Sequence, residues 1–502
     1  MTRTSWKNIA ITNPSGGVTA ELALVTPDPL TCQSSPEHRN RVLEAAKGAG
    51  FTAELGRALD ILSFSEPGSP RVLAIGLGPR SATGSNAPAV ETRCLSIGGF
   101  ILEAMTQHRL ARVRLPDSAQ LGGPAVLEAI LQGALLHSFR LDTHASIKRK
   151  DFTPEALIVN DSDQPIAARA LRTADAVNRA RAWVEQPANL LRPPDWADEI
   201  KEVFTARKAN VRILGPAELE QIGAGALLAV GRASEHGPRL LTVEWRGDPS
   251  SDRWTAALVG KGVTFDAGGL HLKARPNISK MKFDMAGGAA VLGALELAIA
   301  RDARANLVAI VPMAENLIDA LGYRPGDVLT SMSGLTVEVG DTDAEGRLVL
   351  ADALTYALRT YQPASVIDIA TLTGSITSVL HEEFAGLYCS DDGLAAALER
   401  AGQATDERVW RMPLDTSQDY LVESEVADVN NCGAPGFFGI GGGSAAAGAK
   451  FLEKFTRGTP WAHIDMAGTA WSTRRTARGN KGATGYGARL LDRWLRAQGA
   501  VQ

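Results

Sequence analysis

Short, nearly continuous apolar runs alternate with segments of helical periodicity through the second half of the chain. Such runs are typical of central strands that are buried on both faces. The pattern predicts strands at 240–245, 256–259, 307–311 and 366–369, and helices at 195–206, 289–300, 348–358 and 394–401. This alternation indicates an α/β domain, in which ligands collect at the carboxyl ends of the strands.

The first part of the chain has a similar pattern, which predicts strands at 21–25 and 71–77 and helices at 42–46 and 125–138. Prolines between 187 and 194 follow an alanine- and arginine-rich helical stretch, and prolines so placed mark a boundary. We therefore expect a smaller N-terminal α/β domain at 1–165, a helical linker at 166–194 and a larger C-terminal α/β domain at 195–502. The larger domain should hold a central, mostly parallel or mixed sheet flanked by helices.

Composition narrows the class of protein. The net charge of -4, from 52 basic and 56 acidic residues, gives no general electrostatic case for nucleic acid or an anionic membrane as partner. No C-x-x-C pair occurs among the four cysteines, Cys32, Cys94, Cys389 and Cys432, which fits a reducing compartment. The first residues lack the apolar core of a signal peptide, and we find no apolar stretch of about 20 residues that could span a bilayer. We expect a soluble, cytoplasmic protein.

An acidic turn at 341–345 precedes the helix predicted at 348–358. Asp343, Glu345 and Arg347 alternate, so an extended segment would point all three side chains to one side. A purely structural interpretation is also available. Thr342 followed by Glu345 has the form of a capping box, and acids in a first helical turn complement the helix dipole. Taken by itself, the turn favours this structural interpretation.

A second polar cluster follows the strand predicted at 256–259, on glycine-flanked loops where a backbone can approach an ion closely. The cluster consists of Lys261, Asp266, Lys273 and Asp284. If these loops converge with the acidic turn, four carboxylates meet: Asp266, Asp284, Asp343 and Glu345. A pair of unit charges 4 Å apart costs roughly 4 kcal/mol at an effective dielectric of 20, so such a group needs cations. Two divalent ions would neutralise it, and oxygen-rich ligands suit magnesium, manganese or zinc.

Six ordered motifs resemble those of the leucyl aminopeptidase family, the two-metal cytosolic aminopeptidases. They are K-G-V-T-F-D-A-G-G at 261–269, M-K-F-D-M at 281–285, Y-R-P-G-D-V at 323–328, D-A-E-G-R-L-V-L-A-D at 343–352, A-T-L-T-G at 370–374 and W-A-H-I-D-M-A-G-T-A-W at 461–471. The resemblance covers most of the second domain. It implies a metal-dependent aminopeptidase, which in this family is a homohexamer whose active sites face an interior cavity.

The resemblance also implies a role for each matching residue. One metal ion, zinc or manganese, would be bound by Lys261, Asp266, Asp284 and Glu345, and a second by Asp266, Asp343 and Glu345. A lysine amine binds a metal only when neutral, which a neighbouring dication enforces. Lys273 and Arg347 match the two positively charged catalytic positions. The pocket for the first side chain would be lined by Met281, Thr371, Leu372, Gly374, Ala467 and Ala470. Small or apolar groups of this kind favour leucine or methionine over charged side chains.

The mechanism implied by the resemblance starts from a water molecule whose pKa metal coordination lowers to about 7. One metal ion would also hold the free α-amine, which confines cleavage to the N-terminus. Lys273, together with a metal, would stabilise the oxyanion. Arg347 would position a bicarbonate ion that moves the proton. His271 and His463 lie in or near the motifs but receive no catalytic assignment.

Two features depart from the family pattern. Asp341 stands where the family usually has asparagine, which adds a negative charge two residues before a metal ligand. The glycine-rich segment 435–450 looks several residues longer than its equivalent in the family. If that segment borders the cleft, substrate preference would differ.

Other functions stay open at this point. A two-metal phosphoesterase would use similar carboxylate bridges, and segment 443–450 bears a weak likeness to a phosphate-binding loop. Some bacterial members of the family also bind DNA as accessory proteins. A basic patch near the C-terminus, made of Arg474, Arg475, Arg478 and Lys481, could serve that role, although a solvated loop is the simpler interpretation.

Overall fold

The computed structural model describes residues 6–13, 17–27, 30–34, 36–61, 71–77, 90–141, 144, 152–274, 277–433 and 444–498. Contacts within the chain divide it into two compact units. The smaller comprises Ser5–Asn178 and Arg474–Lys481, and the larger consists mainly of Arg179–Thr473 and the segment that begins at Gly482. The segment predicted as a helical linker, 166–194, lies largely in one helix, Gln164–Glu185. The exact domain boundaries stay a prediction.

The smaller unit contains a mixed sheet and helices. Its strands are β1 (Trp6–Lys7), β2 (Ala10–Thr12), β3 (Ala20–Pro27), β4 (Leu30–Gln33), β5 (Ala58–Ile61), β6 (Arg71–Gly76), β7 (Arg112–Arg114), β8 (Arg140–Leu141) and β9 (Ala156–Ile158). Its helices are α1 (Pro36–Gly48), α2 (Val90–Gln107), α3 (Ser118–Leu121), α4 (Pro124–Ser138), the short 3-10 helix Asp161–Asp163 and most of α5 (Gln164–Glu185). The main sheet has the order β2-β9-β7-β3-β6-β5, with β4 paired to β3. The strands and helices predicted in this part of the chain are confirmed.

The larger unit contains the remaining elements. Its strands are β10 (Asn210–Leu214), β11 (Arg239–Arg246), β12 (Ala256–Gly260), β13 (Gly262–Asp266), β14 (Asn306–Asn316), β15 (Val328–Thr330), β16 (Thr336–Glu338), β17 (Val366–Ala370), β18 (Ala385–Cys389), β19 (Val409–Arg411), β20 (Val429–Asn430), β21 (Trp461–Asp465), β22 (Trp471–Ser472) and β23 (Gly482–Ala483). Its helices are α6 (Pro193–Thr205), α7 (Pro216–Gln221), α8 (Gly225–Gly231), α9 (Ala286–Ala300), α10 (Glu345–Thr360), α11 (Gly374–Leu380), α12 (Asp392–Thr405), α13 (Ala445–Glu453) and α14 (Ala488–Ala497), with 3-10 helices at Asn277–Phe283 and Thr416–Val422.

The central sheet of the larger unit is mixed. Its order is β10-β11-β14-β12-β17-β21-β18-β19, and β13 pairs with β14 beyond the end of β12. The inner strands β14, β12, β17 and β21 run parallel. Antiparallel pairs join β10 to β11, β11 to β14 and β21 to β18, and β19 runs parallel to β18. Apolar side chains on one face of the sheet pack against α6, α9, α12 and α14, and those on the other face pack against α8, α10 and α13. The predicted α/β fold class, with a sheet covered on both faces, is confirmed.

One prediction about membranes needs correction. The segment Ile278–Ala300 is long and apolar enough to cross a bilayer by length and composition, contrary to the expectation that no such stretch exists. In the structure, 89% of its most apolar window is buried inside the protein. Most of this segment is α9, which packs against the central sheet, so its apolar character is that of a core helix.

Candidate active site

The predicted polar residues meet at one edge of the central sheet. Lys261 lies between β12 and β13, and Asp266 is the last residue of β13. Glu345 is the first residue of α10, and Thr371 directly follows β17. Because parallel strands end at the same edge of a sheet, segments that are far apart in the sequence deliver their side chains to one place.

Lys261 connects two of the carboxylates. Its Nζ lies 2.8 Å from Asp284 Oδ2 and 2.7 Å from Glu345 Oε1, and its side chain is only 3% exposed. The same Nζ donates a hydrogen bond to the carbonyl oxygen of Thr371 at 3.2 Å. A Cβ on residue 346 would lie 2.7 Å from this Nζ, so Gly346 leaves the space that the lysine needs. The first turn of α10 is thus fitted to the lysine.

Lys273 connects the other two carboxylates. Its Nζ lies 2.7 Å from Asp266 Oδ2 and 2.6 Å from Asp343 Oδ1. The second oxygen of Asp266 accepts hydrogen bonds from the Gly268 N–H and from Asn316 Nδ2, both at 2.9 Å. Since the Lys273 side chain is 21% exposed, it borders the open side of the cluster.

The acidic residues fit a divalent cation. Asp266, Asp343 and Glu345 each offer one oxygen, and these three oxygens lie within 4.8 Å of one another. Asp284 Oδ2, Asp343 Oδ1 and Glu345 Oε1 are buried and accept no well-oriented hydrogen bond from the described part of the chain, although a lysine nitrogen lies close to each. Buried carboxylate oxygens left without such partners are costly unless a cation coordinates them.

The pKa values of the carboxyl groups also indicate that the site needs cations. Burial, together with the charges of Asp266 and Glu345, raises the pKa of Asp343 to about 7. Burial likewise raises the pKa values of Asp266 and Asp284, with a further contribution from neighbouring carboxylates. For Glu345, burial would raise the pKa, but the charges of Lys261 and Lys273 and the hydrogen bonds to the carboxylate together outweigh burial and lower it. Two lysines do not balance four carboxyl groups, so the site takes up protons or divalent cations.

The acidic turn differs from both predictions made for it. Helix α10 begins at Glu345, and its N-cap, Ala344, makes no side-chain capping bond. The hydroxyl of Thr342 instead donates to the Gly268 carbonyl at 2.8 Å and accepts the His271 N–H at 2.9 Å. The capping-box prediction is therefore wrong, because this hydroxyl ties the turn to the neighbouring loop. The expected alternation is wrong for Arg347, because Glu345 and Arg347 both lie in α10, where side chains two positions apart point to nearly opposite sides of the helix.

Arg347 is buried beneath the cluster. Its side chain is 2% exposed, and Nη1 donates to the carbonyl oxygen of Asn431 at 2.6 Å. A Cβ at Gly448 would lie 3.3 Å from Nη2, so α13 also packs against the guanidinium. Arg347 is not among the described residues that line the neighbouring cavity, and its predicted catalytic role stays a prediction.

A cavity of about 510 Å³ opens beside the carboxylates. Its wall includes Lys261, Asp266, Lys273, Asp284 and Asp343, and five of the six residues predicted for the substrate pocket: Met281, Thr371, Leu372, Gly374 and Ala467. The sixth, Ala470, is 2% exposed and belongs to the hydrophobic core, next to the wall residue Trp471. The polar cluster and a partly apolar cavity therefore share one space.

Asn316 and Asp465 are two buried polar residues of this region for which no role was predicted. Asn316 is 0% exposed and ends β14, and its Nδ2 donates to Asp266 Oδ1 at 2.9 Å and to the Thr342 carbonyl at 3.0 Å. Asp465 ends β21 and is equally buried. Their positions in the sequence could have identified them. Each is a polar residue at the carboxyl end of an apolar run, where ligands collect.

The two departures from the family pattern have different outcomes. Asp341 Oδ1 lies 2.9 Å from His271 Nδ1 and accepts the Asp343 N–H at 2.7 Å, so the extra acid belongs to the turn itself. Most of the longer glycine-rich segment 435–450, namely 435–443, lies outside the described residues. The described remainder does not support a phosphate-binding loop, because Lys450 is 2% exposed and pairs with Asp419 at 2.6 Å.

Buried carboxylates that require cations, set beside a cavity at the carboxyl edge of an α/β sheet, define a metalloenzyme. Residues 178–492 match the catalytic domain of the cytosol aminopeptidase family. A probable cytosol aminopeptidase of Syntrophotalea carbinolica is 41% identical over 460 residues, 89% of this chain and 90% of that protein. Another, of Methylobacterium radiotolerans, is 38% identical over 461 residues, 90% of this chain and 89% of that protein. The chain belongs to the cytosol aminopeptidase family and is a metalloaminopeptidase, as the resemblance of the six motifs implied.

Solved structures agree with this identification. The bottromycin maturation enzyme BotP in complex with Mn superposes with a TM-score of 0.82 at 30% identity, covering 96% of this chain and 99% of that one. A mutant of tomato leucine aminopeptidase superposes with a TM-score of 0.81 at 30% identity, covering 99% of this chain and 98% of that one.

Proposed function

We propose that the protein is a two-metal aminopeptidase that releases leucine and other apolar residues from the N-termini of peptides. The observation that carries this proposal is the cluster of four carboxyl groups beside a partly apolar cavity, three of which have a buried oxygen without a well-oriented donor in the described part of the chain. The manganese complex of BotP supports a metal of this kind, and the tomato leucine aminopeptidase supports the substrate class.

The proposed metal ligands are the four carboxylates of the cluster and the amine of Lys261. Lys261, Asp266, Asp284 and Glu345 would bind one zinc or manganese ion, and Asp266, Asp343 and Glu345 the other. Without metal, burial would lower the pKa of Lys261, but Asp284 and Glu345 outweigh burial and raise it. Lys261 therefore gives up a proton when it becomes a ligand, and binding at this site releases that proton.

The ions, when bound, supply Lewis acidity and lower the pKa of the attacking water. Lys273 keeps its positive charge, since Asp266 and Glu345 raise its pKa more than burial lowers it, and it would stabilise the oxyanion. Met281, Leu372 and Ala467 would contact the apolar side chain of the first residue. The wall of the cavity thus combines a fixed cation with apolar surface. A role for Arg347 with bicarbonate stays a prediction.

The family resemblance further suggests a homohexamer in the cytoplasm, and we include both in the proposal. Light scattering coupled to size exclusion would test the assembly directly. A mass near six times 53.1 kDa is expected, and a monomer would contradict the proposal.

The direct test is release of leucine from a chromogenic leucine amide. We expect chelation to abolish this activity and added manganese or zinc to restore it, because the carboxylates need cations to form the site. A generic phosphate ester serves as the control substrate. Release of phosphate without release of leucine would favour the phosphoesterase alternative instead.

Gly374 offers a test of the substrate pocket. A Cβ at this position would meet no atom within 4 Å, and the residue lines the cavity, so a larger side chain occupies space without strain. We expect Gly374→Val to lower kcat/KM for leucine amide about tenfold relative to alanine amide, the usual effect of one or two methylenes in an apolar pocket. The two substrates are compared with the same metal-loaded protein. An unchanged ratio would place the pocket elsewhere.

Metal affinity should depend on pH. With a pKa of about 7, the Asp343 carboxyl holds a proton at lower pH that a metal ion must displace. Above about pH 7 the bound metal displaces the Lys261 proton, so affinity for manganese should rise about tenfold per pH unit. Below about pH 7 the Asp343 proton must be displaced as well, so the dependence should be steeper there. Isothermal titration calorimetry on chelator-treated protein measures this directly. Asp343→Asn should bind more weakly and lose part of the slope, whereas a flat profile in the native protein would contradict the assignment.

A further inference from the structure

Asp465 is a buried acid that the proposed mechanism does not use. It is 0% exposed, and Oδ1 accepts the N–H of Leu372 at 3.1 Å and the N–H of Ala467 at 3.3 Å. Its other oxygen accepts the Thr373 hydroxyl at 2.6 Å. Leu372, Thr373 and Ala467 all line the cavity, so a single carboxylate gathers donors from two segments of its wall.

One of these segments reaches the cluster of acids and lysines. The hydroxyl of Thr371, next to Leu372, donates to Asp284 Oδ1 at 2.7 Å. The carbonyl oxygen of Thr371 accepts the hydrogen bond from Lys261 Nζ at 3.2 Å. The position of Thr371 therefore sets the positions of both groups, and Asp465 anchors the residues that directly follow Thr371.

Asp465 is itself held rigidly. Strands β17 and β21 run parallel in a register that places Asp465 beside Ala370, the residue before Thr371. Two residues earlier on the same face of β21, His463 Nδ1 lies 2.5 Å from Asp368 Oδ1. The indole of Trp461 donates to the other oxygen of Asp368 at 2.6 Å. These buried bonds lock the two strands together, so the anchor cannot shift relative to the loop.

We propose that Asp465 is a positioning residue, which fixes the 371–373 loop so that Thr371 orients Asp284 and Lys261 and the adjoining cavity wall keeps its shape. The inference rests on the proposed function, because it takes Asp284 and Lys261 as metal ligands. Residues that orient metal ligands commonly change metal affinity about 10- to 100-fold when they are removed.

The test is a double-mutant cycle read out by metal binding. Calorimetry would give the manganese Kd of chelator-treated wild type, Asp465→Ala, Thr371→Val and the double variant. We expect each single substitution to raise Kd about tenfold. The increase in Kd of the double variant should be well below the product of the two single increases, because both substitutions act through one contact.

The kcat/KM ratio of leucine amide to alanine amide should also change in Asp465→Ala. Asp465→Asn, which keeps the Oδ1 acceptor, should stay within about threefold of wild type.

Asp352→Ala is the matched control. Asp352 is also 0% exposed and accepts the N–H groups of Leu227 and Met332, but it does not line the cavity. This variant should melt at a lower temperature with an unchanged manganese Kd. If it shifts Kd as much as Asp465→Ala does, the effect is general destabilisation and the proposal fails.

Other outcomes are equally decisive. An unchanged Kd and an unchanged substrate ratio in Asp465→Ala would overturn the inference, as would fully multiplicative effects in the double variant. If Asp465→Ala does not fold, Thr373→Val takes its place, because it removes the hydroxyl bond to Asp465, together with a longer bond from the Ser375 hydroxyl, and leaves the buried carboxylate in place. A wild-type protein that binds no manganese would overturn the proposed function and this inference with it. Metal binding that no variant alters would overturn this inference alone.

Discussion

Asp266→Ala is expected to abolish metal binding and peptide hydrolysis together. Asp266 is 1% exposed and is the proposed bridging ligand of both ions, so its loss removes a bond to each. Because the reaction depends on the Lewis acidity of those ions, kcat/KM for leucine amide should fall by at least about a thousandfold. Metal analysis of the purified variant and its activity with excess manganese give the two measurements.

The matched control for this change is Asp163→Ala. Asp163 is 3% exposed, lies in the smaller unit and accepts the N–H of Ser118 at 3.0 Å, so its loss tests the cost of removing a buried aspartate elsewhere. This control should keep its metal and its activity per folded molecule. Full metal content and near-native activity in Asp266→Ala would contradict the proposed bridging role.

Lys273→Met should leave the metal in place but remove most of the catalysis. The substitution keeps an unbranched apolar chain of similar length and deletes the charge that faces Asp266 and Asp343. If the ammonium stabilises the oxyanion, kcat should fall about 10²- to 10³-fold while KM changes little. Steady-state kinetics on leucine amide, with metal content measured in parallel, distinguish this outcome from loss of the metal.

A second lysine on the same cavity provides the comparison. Lys280 lines the wall but is not part of the carboxylate cluster, so Lys280→Met removes an equal charge from the same space. We expect kcat of this variant to stay within about threefold of the native value, as for surface changes outside the reacting groups. Equal losses in the two variants would indicate a general effect of cavity charge rather than a specific role for Lys273.

The central strands were predictable because their signal is local. Apolar runs at 256–259 and 366–369 match β12 and β17, which are buried on both faces. Strand β13 was missed, since it follows β12 after a single residue and reads as part of the glycine-flanked loop. Its last residue was nevertheless assigned to the cluster, because the motif around it identified the chemistry without the strand.

The supporting hydrogen bonds were not predictable from sequence. Asn316 is 50 residues from Asp266, and Asp465 is 92 residues from Thr373. Only the pairing of β13 with β14 and of β17 with β21 brings these partners together. The acidic turn shows the opposite problem. There, a local rule predicted a capping box, but a contact between Thr342 and the distant Gly268 took precedence.

The two lysines among the carboxylates affect the stability of the metal-free protein. In a chain that folds before it meets a metal ion, the four converging acids would repel one another. Lys261 and Lys273 act as built-in counter-ions that hold the acids together until the ions arrive. Folding and metal loading can therefore be two separate stages, and the metal-free protein is expected to be folded but inactive.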